Sequence, residues 1–122
     1  MSKIKSFTQK DEPLTPAIFY ILLSLSTKER HGYDIMKQVR VDSKNKINLG
    51  PGTLYSAIKR LLEAELIELL GEKEDDRRKI YKITVKGLTV LNLELDRFQQ
   101  ALSVAKKYKV RAKPVLSYAV YK

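Results

Sequence analysis

The feature that most constrains this chain is a row of apolar residues toward its C-terminus: Leu88, Leu91, Leu95, Phe98, Leu102 and Ala105. Their 3-4-3-4-3 spacing keeps all six on one side of an α-helix for nearly three heptads. Thr84 stands where such a helix needs an N-cap, and Pro114 stands where it can no longer continue. The pattern predicts a helix from about Val85 to about Val110, nearly 40 Å long at about 1.5 Å per residue. A body of 122 residues has too little of itself to cover so long a stripe, so the seam predicts a second copy of the chain. Val85, Val90 and Leu93 form another set, expected to hold the helix to its own domain. A helix packed only within its own chain is the competing reading.

The remaining chain reads as shorter elements. Thr15-Pro16 is a helix start, with a hydroxyl at N-cap and proline at N1. The run from Ala17 to Leu25 is apolar almost all the way round, so it needs cover on more than one side. Ile18, Ile21, Leu22 and Leu25 form a core stripe, while Phe19 and Leu23 form a second one, the expected landing surface for the partner's final helix. Tyr33, Ile35, Met36 and Val39 mark a second helix after His31-Gly32. Gly50-Pro51-Gly52 leads to Thr53, read as the cap of a third helix whose Leu54, Ala57, Ile58, Leu61 and Leu62 share a face. Its opposite face carries Tyr55, Ser56, Lys59 and Arg60.

Then the period shifts from helical to alternating. Leu66–Leu70 and Lys79–Ile83 read as two strands of a hairpin joined by a charged loop. Helix, helix, helix, strand, strand, long helix is the order of a winged helix-turn-helix, a mainly α fold with a β-hairpin. The expected parts are an N-terminal arm (1–12), the winged domain (13–84), a dimerisation helix (85–110) and a tail (111–122).

Charge and composition narrow the function. Lys and Arg number 24 against 14 Asp and Glu, a formal charge of +10 that favours a polyanionic partner. Without cysteine, and with the single His31, disulfide scaffolds and the common zinc sites cannot be built. No cofactor and no enzyme chemistry are expected. Seven of the 14 acids lie between Glu63 and Asp76, but at a helix end and turn with no pocket pattern for acid–base work. Gly50-Pro51-Gly52-Thr53 lacks the Gly-Lys-Ser/Thr ending of a nucleotide loop. No run reaches the roughly 18 apolar residues of a membrane span. The polar stretch from Met1 to Glu12 holds no signal-peptide core, so a cytoplasmic location without membrane binding is expected.

Several motifs in order resemble the PadR family of bacterial transcription regulators. They are Leu14-Thr15 with the helix behind it, His31-Gly32-Tyr33-Asp34-Ile35, Gly50-Pro51-Gly52-Thr53-Leu54-Tyr55 and Ile58-Lys59-Arg60-Leu61. Arg77-Arg78-Lys79-Ile80-Tyr81 and Ile83-Thr84-Val85-Lys86-Gly87 complete the series. The single final helix is similar to that of the smaller members of the family. The resemblance implies a homodimeric repressor of a palindromic operator. It also implies that, in some members, a planar aromatic or phenolic effector binds near the dimer axis. The ligand-stacking tryptophan of multidrug-binding members is absent, and alignment from Thr84-x-x-Gly87 puts Phe98 in its place. The tail after Pro114 matches nothing in the family pattern.

These readings name the candidate residues. Thr53, Tyr55, Ser56, Lys59 and Arg60 offer hydrogen bonds for bases and cations for phosphates, with Lys37 on the preceding helix. Arg77, Arg78 and Lys79 are set to meet the DNA backbone from the wing, while the acids at its tip would be repelled. The expected dimer interface is Phe19, Leu23, Leu88, Leu91, Leu95, Phe98, Leu102 and Ala105; Phe19, Leu23 and Phe98 would line an effector cleft. The alternative function is a winged-helix protein–protein adaptor that does not read DNA sequence.

Overall fold

The computed structural model describes residues 12–71 and 79–110 of the chain. Four helices and a small antiparallel sheet follow in the order α1 (Pro16–Leu25), β1 (Arg30–His31), α2 (Gly32–Asp42), α3 (Pro51–Glu63), β2 (Ile67–Gly71), β3 (Ile80–Ile83) and α4 (Val85–Lys107). The mainly helical, winged arrangement is therefore present. The arm (1–11) and the tail (111–122), together with most of the charged wing loop (72–78), lie outside the described residues.

α1 starts as its sequence predicts, with the Thr15 hydroxyl accepting from the Ile18 amide at 3.2 Å and Pro16 in the first turn. It is buried on both stripes: Ile21 and Leu22 are fully enclosed, and Phe19 is buried as well. The break after α1 is a pinned turn. Arg30 donates from Nε to the Ser24 carbonyl at 2.7 Å, from Nη2 to the Thr27 hydroxyl at 3.0 Å and from Nη1 to Asp34 Oδ2 at 3.2 Å. Asp34 lies in the first turn of α2, where a carboxylate also suits the helix dipole.

β1 was not expected from the sequence. It is only two residues long and joins the hairpin as a third strand, in the order β1-β3-β2. Arg30 pairs with Tyr81 and His31 with Ile80, so the entry to α2 is tied to the wing. β2 and β3 pair from Ile67–Ile83 to Gly71–Ile80, with an irregularity between Leu69 and Gly71, where Gly71 has φ 138°. That backbone region is costly for any residue with a Cβ.

Three helices end in the same way without a glycine. Lys44, Glu65 and Lys109 have φ values of 54°, 64° and 61°. In each case the next amide reaches back to close a Schellman turn: Asn45 to Arg40 (2.8 Å), Leu66 to Leu61 (3.0 Å) and Val110 to Ala105 (3.0 Å). α4 thus stops at Lys107, by a local turn rather than by Pro114. Thr53 is not the cap of α3. The helix begins two residues earlier, with Gly50 at N-cap and Pro51 behind it.

Thr84 and Gly87 join the sheet to α4. The Thr84 side chain accepts from the Gly87 amide at 3.0 Å and donates to the Glu65 carbonyl at 2.8 Å, while its own amide donates to Leu66 O at 3.0 Å. A Cβ on Gly87 would collide with that Leu66 carbonyl and stand 2.7 Å from Ile83 Cγ1. Glycine is required here for close approach of the helix to the chain, not for backbone freedom.

The strip of α4 that faces its own domain is Gly87, Val90, Leu91 and Glu94. This corrects the expected division of the helix. Val90 does bind its own domain, but Val85 is 81% exposed and Leu93 also faces outward. Leu91, spaced as a seam residue, is only 3% exposed in the single chain and belongs to its core.

Candidate nucleic-acid interface

α3 divides cleanly between core and surface. Leu54, Ala57, Ile58 and Leu61 are buried against α1 and α2 as part of one hydrophobic cluster. Thr53, Tyr55, Ser56, Lys59 and Arg60 are all exposed. The apolar residues recur at i, i+3, i+4 and i+7, so burying them leaves the polar positions together on the outer face. A helix held this way offers solvent two hydroxyls, a phenol, an ammonium and a guanidinium.

Tyr55 is anchored at its far end. Its ring is 48% exposed, yet its phenol end rests over Gly32 at the start of α2. A Cβ on Gly32 would stand 2.8 Å from Tyr55 Cζ, a distance that real side chains do not keep. The Gly-Tyr and Gly-Thr-Leu-Tyr segments thus meet in space: the glycine of one makes room for the tyrosine of the other.

Beside α3 lies an open cleft of about 420 Å³ bordered by Thr15, Ile18, Gly52, Thr53, Ser56 and Arg60. It sits between the starts of α1 and α3. The Gly50 N-cap has no side chain to bond the first amides of α3, so that helix end presents donors outward. Lys37 is exposed on α2, with its Nζ 5.5 Å from the centroid of the Tyr33 ring. Lys79 is exposed just before β3. Arg77 and Arg78 fall outside the described residues.

The seam residues separate into two groups. Leu88, Leu95, Phe98 and Leu102 are exposed on α4, and Ala105 is half-buried. Phe19 and Leu23 are not a bare stripe. The Phe19 ring packs edge-on against Phe98 of its own chain, with centroids 5.1 Å apart, and Leu23 is half-buried against the core. Phe98 remains 46% exposed and is the open member of the supposed effector trio.

Two residues of interest escaped the sequence reading. Tyr33 has the spacing of an apolar helix face but is 65% exposed. Glu94 is a carboxylate only 3% exposed, with Arg97 Nε 3.8 Å away. The signal for Glu94 was available: it stands three and four residues beyond Leu91 and Val90, on the strip that meets the core.

Residues 21–93 match the transcriptional regulator PadR-like family. The chain belongs to that family. It is similar, at 34% identity over 74 residues, to an uncharacterised protein of Lysinibacillus sphaericus, a match covering 59% of this chain and 68% of that one. Among solved structures it resembles a transcriptional regulator from Clostridium thermocellum, at 27% identity and a TM-score of 0.63, over 75% of this chain and 91% of the other. A PadR family transcription regulator from Clostridium difficile matches at 26% identity and a TM-score of 0.63, over 77% and 98% of the two chains. A PadR-like regulator from Bacillus cereus, at 23% identity, shares the fold with a TM-score of 0.58, over 75% and 90%. The protein is accordingly a DNA-binding transcriptional regulator of the PadR-like family with a winged-helix fold. No described helix is long and apolar enough to cross a membrane.

Proposed function

We propose that this PadR-like regulator is a cytoplasmic homodimeric repressor that reads a palindromic operator with the outer face of α3. The observation that carries the reading is the division of α3, whose Leu54, Ala57, Ile58 and Leu61 are inside, with Leu62 partly buried, while Thr53, Tyr55, Ser56, Lys59 and Arg60 are all outside. Tyr55 and Ser56 are assigned to base edges, and Lys59 with Lys37 to phosphates. The cleft between α1 and α3 suits a phosphate beside the uncapped start of α3. Lys79, with Arg77 and Arg78 of the wing, is assigned to the adjacent backbone.

The dimer would form on α4 through Leu88, Leu95, Phe98 and Leu102, which the chain's own core leaves exposed. Each large side chain fully buried there contributes about 1.5–3 kcal/mol. Two-fold symmetry then requires two half-sites in inverted repeat. Of the effector trio, Phe98 is the assigned contact for a planar aromatic ligand, because Phe19 is buried against it while Phe98 remains half exposed.

The test is a titration of labelled duplexes, carrying either the protein's own promoter region or scrambled sequence, read by anisotropy beside sedimentation analysis. A dimer that prefers an inverted repeat over scrambled duplex supports the proposal. A protein that binds both duplexes equally, or neither, returns the function to the adaptor reading.

A further inference from the structure

We infer that Tyr33 is a positioning residue of the DNA interface, whose ring holds Lys37 ready for a backbone phosphate. The inference rests on the DNA-binding reading above and adds to it a residue outside the recognition helix. Tyr33 and Lys37 are four residues apart on α2, the spacing at which side chains meet on a helix surface. Lys37 Nζ lies 5.5 Å from the Tyr33 ring centroid, within the reach of a cation–π attraction. The ring is 65% exposed. It therefore contributes little to the core.

The location gives this pair its meaning. Gly32, the residue before Tyr33, is the one on which the Tyr55 ring rests. Two consecutive residues of α2 thus serve neighbouring contacts, Gly32 under Tyr55 of α3 and Tyr33 beside Lys37. An ammonium on a four-carbon stem ordinarily samples many rotamers, and freezing it against a phosphate costs entropy. A lysine already seated on a ring has lost part of that freedom in the free protein, while its N–H groups remain available as donors. Phosphate contacts set the register of a protein on the duplex. A pre-placed Lys37 would thus fix how α3 enters the groove, without itself touching a base.

Phosphate contacts do not depend on sequence, so a scrambled duplex of roughly three helical turns is a sufficient probe. Full-length wild type, Tyr33→Phe and Tyr33→Leu are titrated at several salt concentrations, each with and without Lys37→Ala. Tyr33→Phe keeps the ring and loses the hydroxyl, whereas Tyr33→Leu keeps apolar bulk and loses the π face. The expected result is that Phe binds like wild type and Leu binds roughly two- to fivefold more weakly, with a shallower salt dependence. Lys37→Ala should weaken wild type and the Phe variant by more than it weakens the Leu variant. Thermal melts of all variants should agree, given how exposed both side chains are.

A Phe variant as weak as Leu would mean that the hydroxyl, not the ring, makes the contact. Full loss from Lys37→Ala in the Leu background would mean that the lysine needs no holder. Either result overturns the inference, as does wild-type affinity in the Leu variant. If wild type binds no duplex at all, the DNA reading fails first and the inference falls with it.

Discussion

Tyr55 of α3 lies over the bare Cα of Gly32, and a methyl group at that glycine would stand 2.8 Å from the tyrosine's Cζ. The obstacle is the free end of a half-exposed ring, which can swing outward. Gly32→Ala should therefore leave the melting temperature nearly unchanged, since Ala also suits a helix better than Gly. It should nevertheless lower discrimination between operator and scrambled duplex about as much as Tyr55→Ala does. Anisotropy titrations beside thermal melts check both halves of this expectation.

Gly87 presents the opposite case. Its absent side chain would strike the Leu66 carbonyl, which is backbone and is already held by the Thr84 amide. Neither α4 nor the strand can yield cheaply. Gly87→Ala should cost about 1–3 kcal/mol of stability, the usual range for overpacking. Chemical denaturation should show this as a lower midpoint with an unchanged slope.

Leu91 and Leu95 are one turn apart on α4, but only Leu91 is buried in its own chain. Leu95→Lys should leave a folded protein that sediments as a monomer, because two seam positions would bring ammonium groups together. Leu91→Lys should instead unfold the domain. A dimer from Leu95→Lys would remove the proposed seam, and a folded monomer from Leu91→Lys would return Leu91 from the core to the seam.

Lys59 is exposed on the outer face of α3. If it meets a phosphate, Lys59→Ala should weaken operator and scrambled DNA alike and reduce the salt slope by about one unit. Equal slopes for variant and wild type would place the lysine away from the backbone.

The long helices and their starts were legible because the cues are local. Thr15-Pro16 and Thr84 cap their helices as read, and the apolar spacing of α3 sorted its two faces correctly. The helix ends were less legible. Lys44, Glu65 and Lys109 turn the chain in a left-handed conformation that usually signals itself by glycine. β1 escaped because two residues, Arg30 and His31, are too few to show alternation, and their pairing partners lie some fifty residues away. Thr53 has the chemistry of a cap, but Gly50-Pro51 is itself a valid cap and first position and starts the helix earlier.

Among candidate site residues, the α3 face was plain and the seam was not. Heptad spacing shows which residues share a side of a helix, but not which neighbour takes that side. Leu91 went to the chain's own core, and Phe98 came to rest on Phe19 of the same chain. The roles of Gly32 and Gly87 were hidden for a related reason. What each glycine leaves room for, Tyr55 and the Leu66 carbonyl, stands 23 and 21 residues away in sequence.

The bonds from Thr84 to Glu65, Leu66 and Gly87 leave no slack between the end of α3, the wing and the base of α4. In a dimer, each long helix then behaves as one leg of a caliper, with the reading head welded to its foot. In the proposed dimer, a splay of the two legs would then pass to the gap between the two heads, and such a tool would gauge the separation of two half-sites.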